Sequence, residues 1–265
     1  MNYKYKIFVI FHDNLNLSYY DSSLIKNFIF VNVRPNNTNA FPKEYNVINL
    51  HEFENFIPLG KWYTESEVIY NVYKNKYLYE NIDFIGFIQY DIDSSPLTEA
   101  IIQQAISENL LVSFEPHLFK DDYNRNFLMD EKKPNTLCGK GVNCYDVMFN
   151  DFNQFYQSNN HPTLYFDKTI TLCSSFIVKV NLFSEMMDFI SLIIESGKLN
   201  KFDIKHAYRI QGGFLERYYG VWFLLKNIPF IEKKLIHLYE ETHNQMTLFE
   251  KIKRKVKKVL SYGSN

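Results

Sequence analysis

Two carboxylates stand two residues apart, directly after a dense apolar run. The run is Phe84 to Ile88, and Asp91 and Asp93 follow it before a Ser-Ser-Pro segment. Side chains two apart on an extended chain point the same way, so both carboxylates can face one spot. Such oxygen ligands suit Mg²⁺ or Mn²⁺, which keep coordination positions for water and phosphate. The alternative is a solvated turn at a strand end, where Asp and Ser are common.

The apolar run indicates where this pair lies. A run of this kind is typical of a strand buried on both faces of a parallel sheet. In open α/β sheets, ligands bind beyond the carboxyl ends of the strands. The sequence therefore predicts a ligand site at the carboxyl end of a central strand.

Strand and helix patterns alternate around this strand. Apolar runs predict strands over 6–11, 28–33 and 45–50, and residues 62–81 have helical spacing. Thr64 and Glu67 have the spacing of a capping box at the start of this helix. A strand–helix–strand order of this kind favours a parallel sheet.

The pattern continues through the second half of the chain. It predicts helices over 97–108, 145–156, 182–196 and 214–226, and strands over 110–114, 169–180 and 229–239. Gly212 and Gly213 precede the last of these helices. Residues 120–143 are polar and punctuated by proline and glycine, which predicts a long loop. This loop is either a lid or acceptor loop, or an idle insertion.

The bulk composition narrows the class of protein. The 265 residues suffice for one large domain or two small ones, and the formal net charge of −1 supplies no field for nucleic acid. The three cysteines lack a paired metal spacing, which favours a reducing compartment. We find neither a signal peptide nor an apolar window of roughly 18 residues, so we expect a cytoplasmic location.

The end of the chain has a different pattern. From Leu248 to Leu260, apolar residues share one helical face and lysine and arginine crowd the rest. A basic amphipathic helix suits peripheral contact with an anionic membrane surface, here the inner face of a membrane. The alternative is a solvated helix packed on the domain. We therefore expect one domain over 1–245 and a basic tail over 246–265.

Three blocks between residues 62 and 226 resemble, in order, GT-A-fold glycosyltransferases of bacterial capsule and surface polysaccharide synthesis. The first is Tyr-Thr-Glu-Ser-Glu at 63–67, leading into Asp-Phe-Ile-Gly-Phe at 83–87 and Tyr90. The second is Cys-Ser-Ser-Phe-Ile-Val-Lys at 173–179, and the third is Gly-Phe-Leu-Glu-Arg at 213–217. Many relatives have histidine and basic residues after the Tyr90 strand. This chain instead resembles the Asp-x-Asp motif of metal-dependent GT-A enzymes there.

The resemblance implies a fold and a reaction. The fold is a single α/β domain, GT-A-like and Rossmann-like, with a mixed, mainly parallel sheet flanked by helices. The reaction is that of a metal-dependent, hexosyltransferase-type glycosyltransferase. It moves a sugar from a nucleotide-sugar donor to a hydroxyl of a glycan or lipid-linked glycan acceptor. The implied cofactor is Mn²⁺ or Mg²⁺.

The resemblance also implies a metal and phosphate site. Asp93 contacts the ion directly, and Asp91 contacts ribose or the ion through water. His237 or His243, after the last predicted strand, completes the metal site. Such an ion acts as a Lewis acid on the leaving diphosphate.

A nucleotide pocket is expected in the loops after the first and third strands, as in GT-A enzymes. These loops contain His12, Asp13 and His51. Lys61 or Arg34 meets the phosphate oxygens, and the sequence does not choose between them. Each histidine or aspartate can equally be an ordinary residue of a surface loop.

An acceptor hydroxyl needs a base if the reaction inverts the anomeric carbon. Glu216 is the first candidate, placed by the predicted helix start where an acid suits the dipole. Its alternative role is only to cap that helix or to bond Arg217. Asp167 is a second candidate. Ser174 and Ser175 either hydrogen-bond the sugar or simply belong to a strand.

Two other functions stay open. One is a nucleotide- or sugar-binding module on the same fold without turnover, such as a scaffold at a membrane-bound assembly. The other is a nucleotidyltransferase, which also uses two carboxylates and a metal. The absence of a glycine-rich phosphate loop after the first strand disfavours this last function.

Overall fold

A seven-stranded mixed sheet forms the centre of the fold. The computed structural model describes residues 3–12, 15–34, 43–114, 116–125, 142–172, 174–201, 210–233 and 236–237. The strands in chain order are β1 (Tyr5–Phe11), β2 (Phe28–Asn32), β3 (Asn46–Asn49), β4 (Phe84–Gln89), β5 (Ile92–Asp93), β6 (Leu111–Ser113), β7 (Pro116–Leu118), β8 (Thr169–Thr171), β9 (Phe176–Lys179), β10 (Phe230–Glu232) and β11 (Ile236–His237). The helices are α1 (Glu65–Lys74), α2 (Glu99–Glu108), α3 (Phe119–Arg125), α4 (Cys144–Tyr156), α5 (Val180–Glu195) and α6 (Ile210–Leu225).

The main sheet has the strand order β10-β6-β9-β4-β1-β2-β3. β1 pairs in parallel with β2 and with β4, and β2 pairs in parallel with β3. β9 alone runs antiparallel, between β4 and β6. This arrangement confirms the predicted mixed, mainly parallel α/β sheet. It also brings the carboxyl ends of β1, β2 and β4 to one edge.

Both faces of the sheet are buried, as the run Phe84 to Ile88 predicts. Ile85 and Phe87 face the layer that contains α1, α4, α5 and α6. Phe84 and Ile88 face the opposite layer, which contains α2. The alternation follows from the two-residue period of a strand, and burial on both faces makes the run continuously apolar.

Two antiparallel strand pairs flank the main sheet. β5 pairs with β11, with Asp93 opposite Ile236 and Ile92 opposite His237. The other pair is β7 with β8. The run predicted as one strand over 229–239 is therefore split, because β10 joins the main sheet and β11 joins β5.

Helix α1 differs from its prediction at both ends. It ends at Lys74 and is followed by a short 3₁₀ turn at Lys76–Leu78. The predicted capping box is wrong, because the side chain of Thr64 makes no capping hydrogen bond. Glu67 instead accepts hydrogen bonds from the loop before the helix.

The predicted loop over 120–143 begins with a helix. Helix α3 places Phe119 in the core, with its ring centre 5.1 Å from that of Tyr145 and 5.7 Å from that of Phe149. One buried aromatic residue in a polar stretch gives no helical periodicity, so the pattern could not reveal α3. Residues 126–141 lie outside the described residues.

Helix α6 starts earlier than predicted. It begins at Ile210, so Gly212 and Gly213 lie inside its first turn. Glu216 therefore lies in the second turn and not at the helix start. Tertiary contact overrides the weak helix propensity of glycine here, since Gly212 packs directly against Thr64, the residue before α1.

Two features bear on membrane contact, namely the C-terminal segment and the length and hydropathy of the helices. The predicted basic helix Leu248–Leu260 lies outside the described residues and stays a prediction. Within the described ranges, no helix is long and apolar enough to cross a membrane.

Candidate functional site

A cleft of about 320 Å³ opens beyond the carboxyl ends of β1 and β2. Residues that directly follow these two strands and residues at the start of α1 line it. They are Ile10, His12, Val33, Arg34, Lys61, Thr64, Glu65 and Glu67. The parallel pairing of β1 with β2 makes polar residues from separate loops converge here. This is the edge where open α/β sheets bind ligands.

The cleft carries charges of both signs. His12, Arg34 and Lys61 bring basic nitrogen groups, and Glu65 and Glu67 bring carboxylates. Arginine and lysine suit phosphate oxygens, and carboxylates accept hydrogen bonds from hydroxyl groups and nucleobase edges. The lining is thus suited to a ligand that is anionic and also carries many hydrogen-bond donors.

Three side chains, two on α1 and one on the residue that follows it, fix the loop that leads to Lys61. Oε1 of Glu67 accepts hydrogen bonds from two backbone N–H groups of this loop, at 2.7 and 2.9 Å. Asn71 accepts from the N–H of Ile57 at 2.7 Å and donates to its carbonyl at 2.9 Å. Asn75 accepts from one further loop N–H at 3.0 Å. This wall of the cleft is therefore held by α1.

Thr64 has an unusual backbone conformation at the cleft wall. Its φ is 55° and its ψ is −133°, a region that glycine adopts and β-branched residues avoid. Such a residue costs on the order of 1–3 kcal/mol. Its side chain packs against α6, since a Cβ added to Gly212 would lie 2.2 Å from Oγ1 of Thr64.

Tyr90 connects the cleft to the carboxylate pair. Its ring packs edge-on against the ring of His12 at 4.8 Å, and its hydroxyl lies 3.4 Å from Nε2 of His12. Its backbone N–H donates to the carbonyl of Ile10 at 3.1 Å. The end of β4 therefore lies directly beside the end of β1.

Asp91 and Asp93 follow Tyr90, and both are half-buried. Oδ1 of Asp93 accepts a hydrogen bond from the N–H of Ser95 at 3.0 Å. Asp91 has one buried carboxylate oxygen, and its charge interacts electrostatically with the Tyr20 hydroxyl. Burial raises the pKa of the Tyr20 hydroxyl far above its ordinary value, and the negative charge of Asp91 adds to this. Both carboxylates are thus partly covered by the chain packed around this strand end.

The segment after β1 packs over this strand end. The hydroxyl of Ser94 donates to the carbonyl of Tyr19 at 2.7 Å. The hydroxyl of Tyr20 donates to the carbonyl of Tyr90 at 3.5 Å. The loops after β1 and β4 are therefore joined by hydrogen bonds.

Asp91 lies in the turn between β4 and β5, Asp93 lies in β5, and each brings a carboxylate to this strand end. Aspartate oxygens on neighbouring positions suit Mg²⁺ or Mn²⁺, which take their remaining ligands from water and phosphate. Across the part of the chain that the structure describes, no group of three or more His, Cys, Asp or Glu residues is arranged to hold a metal.

The backbone of β11 brings the His237 segment alongside β5, where His237 pairs with Ile92. The side chain of His237 lies outside the described residues, as do Asp13 and His243. Their predicted roles stay predictions.

His51 and Asp167 are placed away from the cleft lining. His51 is exposed in a 3₁₀ turn after the edge strand β3. Asp167 has a side chain that is 74% exposed, and its carboxylate lies 3.4 Å from the ammonium of Lys168. Lys168 lines a separate apolar cavity of about 90 Å³. The geometry therefore gives these two residues less support than the residues at the cleft.

Glu216 occupies one of few accessible points on α6. All residues of this helix are buried except Gly213, Glu216 and Leu225. Glu216 lies four residues after Gly212, which contacts Thr64 at the cleft wall, so the two share a helix face. Its Oε1 lies 3.3 Å from Nη1 of Arg217. The position is compatible with a carboxylate beside the cleft.

A buried carboxylate that the sequence did not reveal lies beside Arg217. Oδ2 of Asp122 in α3 is 3.4 Å from Nε of Arg217, and it accepts a hydrogen bond from the Tyr145 hydroxyl. Arg125 pairs with the other oxygen. Burial raises the pKa of Asp122, but Arg217, Tyr145 and Arg125 lower it further, so the net pKa falls below the usual value. No local pattern could have identified this residue, because its partners come from three helices.

Ser174 and Ser175 lie at the same edge of the sheet as the carboxylate pair. Both are buried and precede β9, whose first residue, Phe176, pairs with Phe87 of the antiparallel strand β4. Ser174 has a positive φ of 49°. The second resembling block thus converges on the carboxyl end of β4.

Comparison with solved structures shows the fold. No protein-family model matches the chain, and no curated protein sequence matches it significantly. The apo structure of the bifunctional glycosyltransferase WbbM matches with a TM-score of 0.59 and 14% identity, covering 88% of this chain. The chain spans 44% of the length of the WbbM chain.

Two fungal structures match more weakly. They are the mannosyltransferase Ktr4p from S. cerevisiae and core-mannan synthase A (CmsA/Ktr4) from Aspergillus fumigatus in a Mn/GDP form. Their TM-scores are 0.39 and 0.38, and their identities are 10% and 8%. They cover 82% and 84% of this chain, which spans 66% and 70% of theirs. The match to WbbM shows that the chain shares the fold of that structure, which confirms the predicted GT-A-like fold class.

Proposed function

We propose that this chain is a metal-dependent glycosyltransferase that uses a nucleotide-sugar donor and a glycan or lipid-linked glycan acceptor. One observation carries the proposal. A mixed-charge cleft beyond β1 and β2 is joined through Tyr90 to the carboxylates of Asp91 and Asp93. The GT-A-like fold, shared with the glycosyltransferase WbbM, supports the same function.

The cleft is the proposed site of the nucleotide. His12 and Tyr90 present aromatic rings for stacking and ring nitrogen or hydroxyl groups for hydrogen bonding. Arg34 and Lys61 then pair with phosphate oxygens, which lie on the side of the donor that faces the carboxylates. Arg34 and Lys61 both line the cleft, so the lining supports phosphate binding by either residue equally.

Asp93 and Asp91 are the proposed holders of Mn²⁺ or Mg²⁺. When bound, the ion supplies Lewis-acid stabilisation of the leaving diphosphate. Asp93 contacts the ion, and Asp91 contacts ribose or a coordinated water. The hydrogen bond from Ser95 N–H to Asp93 holds the carboxylate in place.

Glu216 is the proposed general base for an inverting reaction. It accepts a proton from the acceptor hydroxyl while that oxygen attacks the anomeric carbon. Arg217 lies 3.3 Å from this carboxylate, and Asp122 fixes Arg217 from the buried side. Glu216 is the accessible end of this ion cluster, so its orientation is set by the cluster behind it.

A panel of nucleotide sugars tests the function. The protein is incubated with each donor and Mn²⁺, and release of free nucleoside diphosphate is measured. We expect release from one donor class, and a loss of at least 100-fold in Asp93→Ala, an effect of about 3 kcal/mol on the transition state. Glu108→Ala is the matched control, because Glu108 is an exposed acid on α2.

Two other outcomes contradict this function. Binding of a nucleotide sugar without any release identifies a binding module. Release of pyrophosphate from a nucleoside triphosphate and a sugar phosphate identifies a nucleotidyltransferase.

A further inference from the structure

We propose that Thr64 is a ligand-contacting residue of the cleft, kept in a strained backbone conformation because its side chain is needed at the cavity wall. This inference rests on the proposed function, since the ligand it names is the nucleotide part of the donor. It adds a residue whose predicted role, capping α1, the structure contradicts.

The backbone gives the first observation. Thr64 has a φ of 55° and a ψ of −133°. Gly60, in the same loop, also has a positive φ, of 94°, and there the chain uses the residue type that tolerates it. A β-branched residue at positive φ is an outlier. Something other than the loop geometry must therefore favour threonine at position 64.

Local interactions do not explain the residue. Threonine is favoured before a helix when its hydroxyl caps a backbone N–H, and Thr64 makes no such bond. The loop before α1 is instead held by Glu67, Asn71 and Asn75. The helix start thus gains nothing from the hydroxyl.

The facing helix makes room for this side chain. A Cβ on Gly212 would lie 2.2 Å from Oγ1, 3.0 Å from Cγ2 and 3.1 Å from Cβ of Thr64. Glycine inside a helix is itself unfavourable. Two locally unfavourable choices, Thr64 just before α1 and Gly212 inside α6, therefore serve the same placement of the Thr64 side chain.

The cleft supplies the reason for that placement. Thr64 lines it together with the basic side chains of His12, Arg34 and Lys61. Its side chain brings a methyl group and a hydroxyl that both donates and accepts hydrogen bonds. A nucleoside offers matching ribose hydroxyls and an apolar ring face. Observed strain at such a cavity points to ligand binding.

Replacing the strained residue separates stability from binding. We compare wild type, Thr64→Gly and Thr64→Ser by thermal unfolding without ligand and by titration with UDP, GDP, CDP and ADP in Mn²⁺. Thr64→Gly should have a Tm equal to or a few degrees above wild type, because glycine relieves the strain. Its affinity for the preferred nucleotide should be at least ten-fold weaker. Thr64→Ser keeps the hydroxyl and should stay within about three-fold of wild type.

Each contrary result has one meaning. If Thr64→Gly binds the nucleotide as tightly as wild type, the side chain does not contact the ligand and the inference is wrong. If Thr64→Gly has a clearly lower Tm than wild type, threonine is kept for folding and the inference is again wrong. If wild type binds none of the four nucleotides, the proposed function fails, and the inference fails with it.

Discussion

At the scale of single residues, Asp122 shows how a buried charge is kept. It has a fully buried carboxylate balanced by Arg217 and Arg125 and hydrogen-bonded by Tyr145. Replacing such a pair by apolar groups is often neutral, but removing one partner strands the other charge. The loss of Asp122 is therefore expected to lower the free energy of unfolding mainly because it removes the buried anion of Arg217.

The substitution Asp122→Asn should destabilise the fold by roughly 2–4 kcal/mol, since Arg217 would then lose its buried anion and keep only the partly exposed Glu216. Tyr145→Phe is the matched milder change. It removes one hydrogen bond to the same carboxylate and should cost about 1 kcal/mol. Urea unfolding of the three proteins measures both values. Equal stability of Asp122→Asn and wild type would show that the cluster is not needed for folding.

The same carboxylate predicts a dependence of stability on pH. The pKa of Asp122 is lower in the folded protein than in the unfolded chain. Its contribution is therefore complete above the unfolded value of about 3.9 and is lost as the pH falls below it. Between pH 5 and pH 3, wild type should lose more unfolding free energy than Asp122→Asn does. Parallel stability curves for the two proteins would contradict this.

The positions of some of these residues could be predicted from the sequence, and those of others could not. The position of Asp91 and Asp93 at the end of a buried strand was predictable, because a buried apolar strand and its end have a local sequence pattern. Asp122 and the strained Thr64 were not, because their environments depend on Arg217 and Gly212, far away in the chain.

At the scale of elements, the contact between Gly212 of α6 and Thr64 joins the helix of the candidate base to the cleft. The N–H of Gly212 also donates to the carbonyl of Trp62 at 2.9 Å. The first turn of α6 is thus fixed against the segment that precedes α1. The same helix approaches β8 closely, since a Cβ on Gly220 would lie 2.4 Å from the carbonyl oxygen of Thr171.

The substitution Gly212→Ala should destabilise the protein by roughly 1–3 kcal/mol, because the added methyl group collides with Thr64. In the Thr64→Gly background the colliding side chain is gone. There the same substitution should be neutral or slightly stabilising, since alanine is the better helix former. A double-mutant cycle by chemical unfolding measures this coupling. Additive effects would show that the two residues do not meet.

Elements with a strong period were predictable, and those fixed by tertiary contact were not. The apolar runs of β1, β2 and β4 and the amphipathic pattern of α5 match the structure closely. The start of α6 was missed because glycines look like a helix boundary in sequence. Helix α3 was missed because Phe119 supplies its only buried apolar side chain.

At the scale of the whole molecule, the strand order creates the candidate site. β4 lies beside β1, and β1 beside β2, so three loops distant in sequence meet at one edge. The sequence predicted the mainly parallel sheet and a site at the edge formed by the carboxyl ends of its strands. It did not predict that Tyr90 would contact His12 or that His51 would be exposed after the edge strand β3, because these depend on strand order.

The basic segment Leu248–Leu260 carries a separate proposal, that the protein binds the inner face of an anionic membrane from the cytoplasm. The full chain should bind vesicles with anionic lipids in a co-sedimentation assay. Binding should weaken in high salt, since salt screens the attraction. A chain truncated after residue 245 should lose binding and keep nucleotide affinity. Equal vesicle binding by both chains would remove this proposal.

The central claim is that the cleft and the pair Asp91 and Asp93 bind a nucleoside diphosphate through a divalent ion. Thermal unfolding with UDP, GDP, CDP or ADP, each with and without Mn²⁺, tests it most directly. Ligand at 100 times its Kd stabilises the folded state by about 2.7 kcal/mol, which raises Tm measurably. We expect one nucleotide to raise Tm only when Mn²⁺ is present, and Asp93→Ala to lose that shift. A Tm that no nucleotide changes in the presence of Mn²⁺, or a full shift in Asp93→Ala, would contradict the claim.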